Sequence, residues 1–188
     1  MLLLASKSPR RRELLKMLDL PFRIIELKNV DESFPPELDK EKVPEYLSRL
    51  KADAYRDVIN EDEILITADT VVIIDNEIVG KPKSLEDAKQ MLSKLSGKTH
   101  KVVTGVTLTS TKKAVTFSTV TAVSFARLSE AEIDYYVEKY KPLDKAGAYG
   151  IQEWIGAVGV AGIDGSFYNV MGLPVHRLYN ELLLFGCR

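Results

Sequence analysis

A chain of 188 residues, 45% hydrophobic and 28% charged, has the balance of an ordinary globular protein and enough length for one domain or two small lobes. A formal net charge of −1 supplies no global field toward nucleic acid or membrane, and a single cysteine, Cys187, excludes a disulfide framework and a thiolate metal cluster. The lone cysteine fits a reducing cytoplasm; no apolar run approaches a membrane span, and Met1 to Ala5 lacks the basic start and the length of a signal peptide.

Leu2-Leu3-Leu4-Ala5 reads as a buried strand, and Leu14, Leu15 and Leu18 then recur at helical spacing. At the junction, Ser8 is an N-cap and Pro9 suits the first helical position. Arg10, Arg11 and Arg12 fall in the first turn, where free N–H groups are already partly positive, so each cation costs about 0.3–1 kcal/mol. Two readings stand: a solvated basic turn, or an anion site where N–H groups and guanidinium forks hold a phosphate. On the second reading, an acidic residue at Arg11 stabilises the ligand-free chain.

Phe22 to Leu27 reads as a second strand, and Lys28 to Pro36 as a loop carrying Asp31 and Glu32. Pro44 opens a helix with Leu47, Leu50, Ala54 and Val58 on one face. Lys51 lies beside that face, the usual place of a snorkelling lysine. Ile64 to Ala68 is a buried-strand pattern that stops at Asp69-Thr70; Val71 to Ile74 continues the apolar run, Asp75-Asn76 turns, and Glu77 to Val79 returns.

Ser84 and Asp87 have capping-box spacing before a helix with Ala88, Met91, Leu92 and Leu95 inward, which Gly97 ends. His100 to Leu108 and Ala114 to Phe125 form a long strand pair. Ser129 and Glu132 make a second capping box, for a helix with Ile133, Tyr136, Val137 and Tyr140 on its apolar stripe. From Leu143 to Pro174 the chain is glycine-rich, which lets backbone approach a ligand or a neighbouring strand. Pro174 opens a last helix with Val175, Leu178, Leu182 and Phe185 inward and Gly186 as terminator. Strands alternating with helices, followed by a long antiparallel pair, predict an α/β fold: a mixed sheet with helices packed on it.

Several motifs fail on context. Ser96-Gly97-Lys98-Thr99 resembles the end of a P-loop, but Leu92 stands where the first glycine is needed, and the helix precedes the strand. His100 and His176 have no neighbours at metal-ligand spacing and read as structural or surface residues. No Gly-x-Ser-x-Gly elbow is present, against a serine hydrolase. Asp69 stands out, because ligands gather at the carboxyl ends of strands in α/β sheets. A carboxylate there either holds Mg²⁺, accepts a proton from water, or simply shapes a turn. Lys81, between Gly80 and Pro82, is either a fixed cation or an exposed turn residue.

Four motifs, in order and spacing, resemble the Maf nucleoside triphosphate pyrophosphatases. They are Ser6-x-Ser8-Pro9-Arg10-Arg11, Ala68-Asp69-Thr70, Gly80-Lys81-Pro82 and Asp144-Lys145-Ala146-Gly147-Ala148-Tyr149-Gly150-Ile151-Gln152. The likeness runs nearly end to end and includes Leu95-Ser96-Gly97 and Val170-Met171-Gly172-Leu173-Pro174. It implies a single domain over 1–188, with two lobes around one deep cleft and an elongated mixed α/β fold related to the inosine triphosphate pyrophosphatases.

The resemblance further implies hydrolysis of a nucleoside triphosphate to the monophosphate and pyrophosphate with a divalent metal cation, Mg²⁺ or Mn²⁺. The Gly-Ala-Tyr-Gly-Ile-Gln run is similar to the subgroup acting on dTTP and UTP. Asp69 matches the proton acceptor. Arg10, Thr70 and Gln152 match positions of substrate choice, and Arg11, Glu32, Lys51 and Lys81 match other cleft residues, Glu32 and Asp69 being the metal pair. Partners are then the nucleotide and, compatibly, a second copy as homodimer, with no nucleic acid and no membrane. One departure is visible: the subgroup usually has Gly after the Gln, whereas Glu153-Trp154 follow here. A nucleotide-binding regulator of septum formation and an RNA binder using Arg10 to Arg12 are the alternatives. The second lacks an extended basic face with interleaved aromatics.

Overall fold

The computed structural model describes residues 1–25 and 28–186. Among these, seven strands form one mixed sheet in the order β2-β1-β3-β5-β6-β7, with β4 pairing β3. The strands are β1 (Leu2–Leu4), β2 (Phe22–Ile24), β3 (Ile64–Ile74), β4 (Glu77–Val79), β5 (Thr99–Thr109), β6 (Ala114–Phe125) and β7 (Val160–Asp164). The helices are α1 (Pro9–Lys16), α2 (Val43–Asp53), α3 (Leu85–Leu95), α4 (Glu130–Tyr140), α5 (Trp154–Gly159), α6 (Phe167–Met171) and α7 (Val175–Phe185). β1 runs parallel to both β2 and β3, whereas β3 with β4 and β6 with β7 are antiparallel. The mixed α/β class predicted from the sequence is therefore what the chain forms. None of the described helices is long and apolar enough to cross a membrane.

The chain divides into two compact units. The first takes Met1–Thr70, Thr104–Thr119 and the chain from Gly172 onward. One of its cores joins Leu3, Ala5 and Leu65 to Ala52, Tyr55 and Ile59. α7 buries Val175, Leu178, Leu182 and Phe185, the four residues its spacing predicts, and ends at Gly186 with φ +96°. The second takes Val71–Val103 and Val120–Met171. Its core gathers Val72, Leu92, Val102, Phe125, Tyr136 and Ile155, among others. The Ser129–Glu132 capping box forms in full at the start of α4.

Four expectations need correction, and one segment gains elements that the sequence did not reveal. The second strand covers only Phe22–Ile24, and the Glu26 and Leu27 of the longer reading lie outside the described residues, as does Cys187. α2 stops at Asp53, and its buried face is Leu47, Ser48 and Ala52; Val58 is 51% exposed on a separate 3-10 turn, and Tyr55 fills the core instead. The Asp87 carboxylate accepts from the Lys83 N–H at 2.8 Å rather than from Ser84, although Ser84 does cap α3. The glycine-rich segment holds α5, β7 and α6, whose shortness left too few periods to read. β3 does not stop at Asp69 but runs unbroken through it to Ile74. Pairing with β1 ends at Ile66 and pairing with β4 starts at Val72, and β5 is the other neighbour of β3 in the sheet order.

His100 is structural, as its isolation predicts. It is buried at 2% exposure, with Nε2 2.7 Å from the Tyr149 hydroxyl and Phe125 and Tyr149 edge-on at 5.2 and 5.4 Å. Burial lowers its pKa to about 4 from the ordinary 6.5. The unfolded chain thus binds a proton that the folded chain refuses between those values, so stability falls as pH drops from about 6.5 to about 4. The loss is on the order of 3 kcal/mol at the lower limit. Urea titrations across this window should show a steeper decline for wild type than for His100→Phe; equal slopes would contradict it.

Candidate active site

α2 lies on one face of β3, and two contacts in succession fix its position. The Thr67 hydroxyl donates to the Ser48 carbonyl at 2.6 Å, and Lys51 Nζ donates to Asp69 Oδ1 at 2.6 Å. Thr67 and Asp69 share a strand face at a spacing of two, and Ser48 and Lys51 share a helix face at a spacing of three. One docking geometry therefore makes both pairs. Ser48 also hydrogen-bonds Thr107 of β5 at 2.9 Å. Gly105, on the same face of β5, allows the start of α2 to approach: a Cβ there would stand 2.3 Å from the Pro44 carbonyl.

Lys51 is thus more than a snorkelling lysine. Its ammonium also pairs with Glu32 at 3.2 Å, so one cation joins two carboxylates from different parts of the chain. Asp69 and Lys51 are largely shielded at 14% and 18% side-chain exposure, and Glu32 is open at 55%. A largely buried carboxylate beside an open one forms a locus where positive charge is favourable.

Thr70 projects from the opposite face of β3 and meets Arg11. Ser8 caps α1 as predicted, its hydroxyl accepting from the Arg11 N–H at 3.4 Å. The Arg11 guanidinium then turns inward. Nε donates to the Gly172 carbonyl at 2.8 Å, Nη1 to the Ala68 carbonyl at 2.8 Å, and Nη2 to the Thr70 hydroxyl at 2.9 Å. Thr70 is in turn bonded to Thr104 at 2.9 Å. Desolvation lowers the Arg11 pKa, with the Asp69 charge opposing that shift. In the ligand-free chain the Arg11 guanidinium thus has protein acceptors in place of a phosphate. Two carbonyls and a hydroxyl accept from it, and it ties α1 to β3 and to the residue after α6.

The structure brings Glu32, Lys51 and Asp69 into one cluster and Arg11 with Thr70 into another, all within the first unit. Arg10 is half-buried on the first turn of α1, and Arg12 is exposed. Lys81 and Gln152 belong to the second unit, both exposed. Lys81 follows β4 at a point where the Gly80 carbonyl accepts from the Gly147 N–H at 3.0 Å. The sequence alone gives Thr104, Lys145 and Glu153 no role, and places Tyr136 only on the apolar stripe of its helix. Lys145 stands inside a quoted motif, and Glu153 marks the departure from the subgroup pattern.

Among the described residues, no group of three or more His, Cys, Asp or Glu side chains forms a metal cage. A hard divalent cation working on phosphates does not need one, since one or two carboxylates plus substrate oxygens suffice. Glu32 and Asp69, already converging on one positive group, fit that requirement.

Residues 1–185 match the family model described as Maf-like protein. A dTTP/UTP pyrophosphatase of Phocaeicola vulgatus is 55% identical over 181 residues, which cover 96% of this chain and 94% of that protein. One of Porphyromonas gingivalis is 55% identical over 187 residues, 98% and 94% of the two chains. One of Flavobacterium psychrophilum is 47% identical over 182 residues, 97% and 93%. Among solved structures, the Ham1 protein of Staphylococcus aureus aligns with a TM-score of 0.50 at 16% identity, over 66% of this chain and 71% of that one. The last match concerns the fold alone and agrees with the predicted architecture.

Proposed function

The chain belongs to the Maf-like protein family, and from this membership and the carboxylate–lysine cluster we propose that it hydrolyses dTTP and UTP to the monophosphate and pyrophosphate. The observation that carries the reading is the shielded Asp69 carboxylate, held by Lys51 within a whole-chain match to relatives named for this activity. In the reaction, a water oxygen bonds to the α-phosphorus, the bond from that phosphorus to the α–β bridging oxygen breaks, and pyrophosphate leaves. The water's proton passes to Asp69. Arg10, Lys51 and Lys81 neutralise charge that spreads over the phosphate oxygens. Glu32 and Asp69 would hold Mg²⁺ or Mn²⁺, which supplies further charge neutralisation on the triphosphate when bound. Arg11 acts one step back: it fixes Thr70, the neighbour of Asp69, and the α1 turn that bears Arg10. Turnover takes place in the cytoplasm, where these nucleotides are made and used.

Gln152 offers an amide N–H and a carbonyl, the complement of the O4 and N3–H of uracil and thymine. Gln152→Ala should leave those base groups unpaired and cost about 1–3 kcal/mol in kcat/KM for dTTP and UTP, with purine triphosphates affected less. A panel of canonical and modified nucleoside triphosphates with Mg²⁺, assayed on wild type and this variant, tests both the reaction and the base reading. Preference for dTTP and UTP that disappears in the variant supports them. Equal loss on every base would assign Gln152 to the fold or the phosphates, and nucleotide binding without turnover would leave a regulator instead of an enzyme.

A further inference from the structure

A polar cluster in the second unit surrounds the turn that carries Gln152. Gly150 to Glu153 form a tight turn closed by the Glu153 N–H on the Gly150 carbonyl at 3.0 Å. Ile151 is buried and Gln152 is exposed at its tip. Both ends of the turn are held by one hydroxyl: the Gly150 N–H donates to Tyr136 Oη at 3.0 Å, and that hydroxyl donates to Glu153 Oε2. Glu153 Oε1 pairs with Lys145 Nζ at 3.1 Å, and the same ammonium pairs with Asp144 Oδ1 at 2.8 Å. Lys145 is 9% exposed at the side chain. A Cβ on Gly150 would stand 2.9 Å from Glu153 Cδ and 3.0 Å from Lys145 Cε, so the pair lies directly over bare backbone.

Such a cluster is a costly way to hold a fold together. Removing a lysine and a carboxylate from water carries a desolvation penalty that apolar side chains of similar volume avoid. Burial, and then the bond to Glu153, raise the Tyr136 pKa, so its hydroxyl stays a donor. What the charges and the shared hydroxyl add is direction: they fix where the turn points. We propose that Tyr136, Glu153 and Lys145 are positioning residues that hold the Gly150–Glu153 turn so that the Gln152 amide meets the pyrimidine edge, and thereby set base selectivity. This rests on the base-reading role given to Gln152 above.

Tyr136→Phe removes the hydroxyl that serves both ends of the turn and keeps the ring that stacks on Tyr140 at 5.0 Å. KM for UTP and dTTP should rise about tenfold, with kcat changed less than about twofold and kcat/KM for ATP and GTP less than about threefold. In a Gln152→Ala background, the same change should leave the UTP-to-ATP ratio where Gln152→Ala alone puts it, because both act through one amide. Glu153→Gln keeps an acceptor for Tyr136 but not the charge facing Lys145, and should lose part of the same ratio. It decides the matter if Tyr136→Phe fails to fold. A folded Tyr136→Phe that retains the UTP-to-ATP ratio while Gln152→Ala abolishes it would overturn the positioning role and leave the base reading intact. Equal losses on all nucleotides would likewise overturn it. If Gln152→Ala itself leaves the ratio unchanged, the base reading falls and the proposal with it.

Discussion

Asp69→Asn is expected to lower kcat for UTP by about 10²-fold or more while leaving nucleotide binding close to wild type. The amide keeps the size of the carboxylate and an oxygen that can accept from Lys51 Nζ, now 2.6 Å from Asp69 Oδ1. What it cannot do is take a proton from water. Lys51 also retains its second partner, Glu32, at 3.2 Å, so the ammonium is not stranded. The melting temperature should therefore move little, which separates lost chemistry from a lost fold. Near-normal UTP hydrolysis by this variant would remove Asp69 from the mechanism.

Arg11→Met should cost about 3–5 kcal/mol of stability. Three hydrogen bonds from one guanidinium disappear, and the Gly172 and Ala68 carbonyls and the Thr70 hydroxyl each lose a donor. Arg11→Lys keeps the charge but not the fork that reaches three acceptors on separate segments, so it should recover only part of the loss. Arg11→Glu should be worse than either, because a carboxylate would face two carbonyl oxygens. Urea denaturation of the three variants checks the order. An Arg11→Glu protein that melts at or above wild type would contradict the structural role and restore the picture of an arginine strained in the absence of phosphate.

Arg11 combines features that are local in the sequence with partners that are not. Ser8 as N-cap, Pro9 at the helix start and three basic residues in the first turn were legible, because caps and dipoles are local. The acceptors that resolve the charge conflict come from Ala68, Thr70 and Gly172, far along the chain, and no local rule points to them. α7 is the opposite case, long and amphipathic, and every inward residue was readable. Asp69 marks the end of an apolar run in the sequence, yet the strand continues through it to Ile74. Periodicity places Lys51 only as a flank of an apolar stripe and the family resemblance only as a cleft residue; its pairing with Asp69 depends on how α2 docks. Glu153 was visible solely as an oddity after Gln152; its bond to Tyr136 needs α4 folded beside it.

Hydrolysis of UTP in ¹⁸O-labelled water, with Mg²⁺ present and the products resolved by mass, tests the central claim most directly. Attack on the α-phosphorus predicts equal amounts of UMP and pyrophosphate, with one labelled oxygen in the UMP and none in the pyrophosphate. Label in the pyrophosphate would place the attack on the β-phosphorus. UDP with labelled orthophosphate would mean attack on the γ-phosphorus, and either result would contradict the assignment of Asp69 as the base that delivers water to the α-phosphorus.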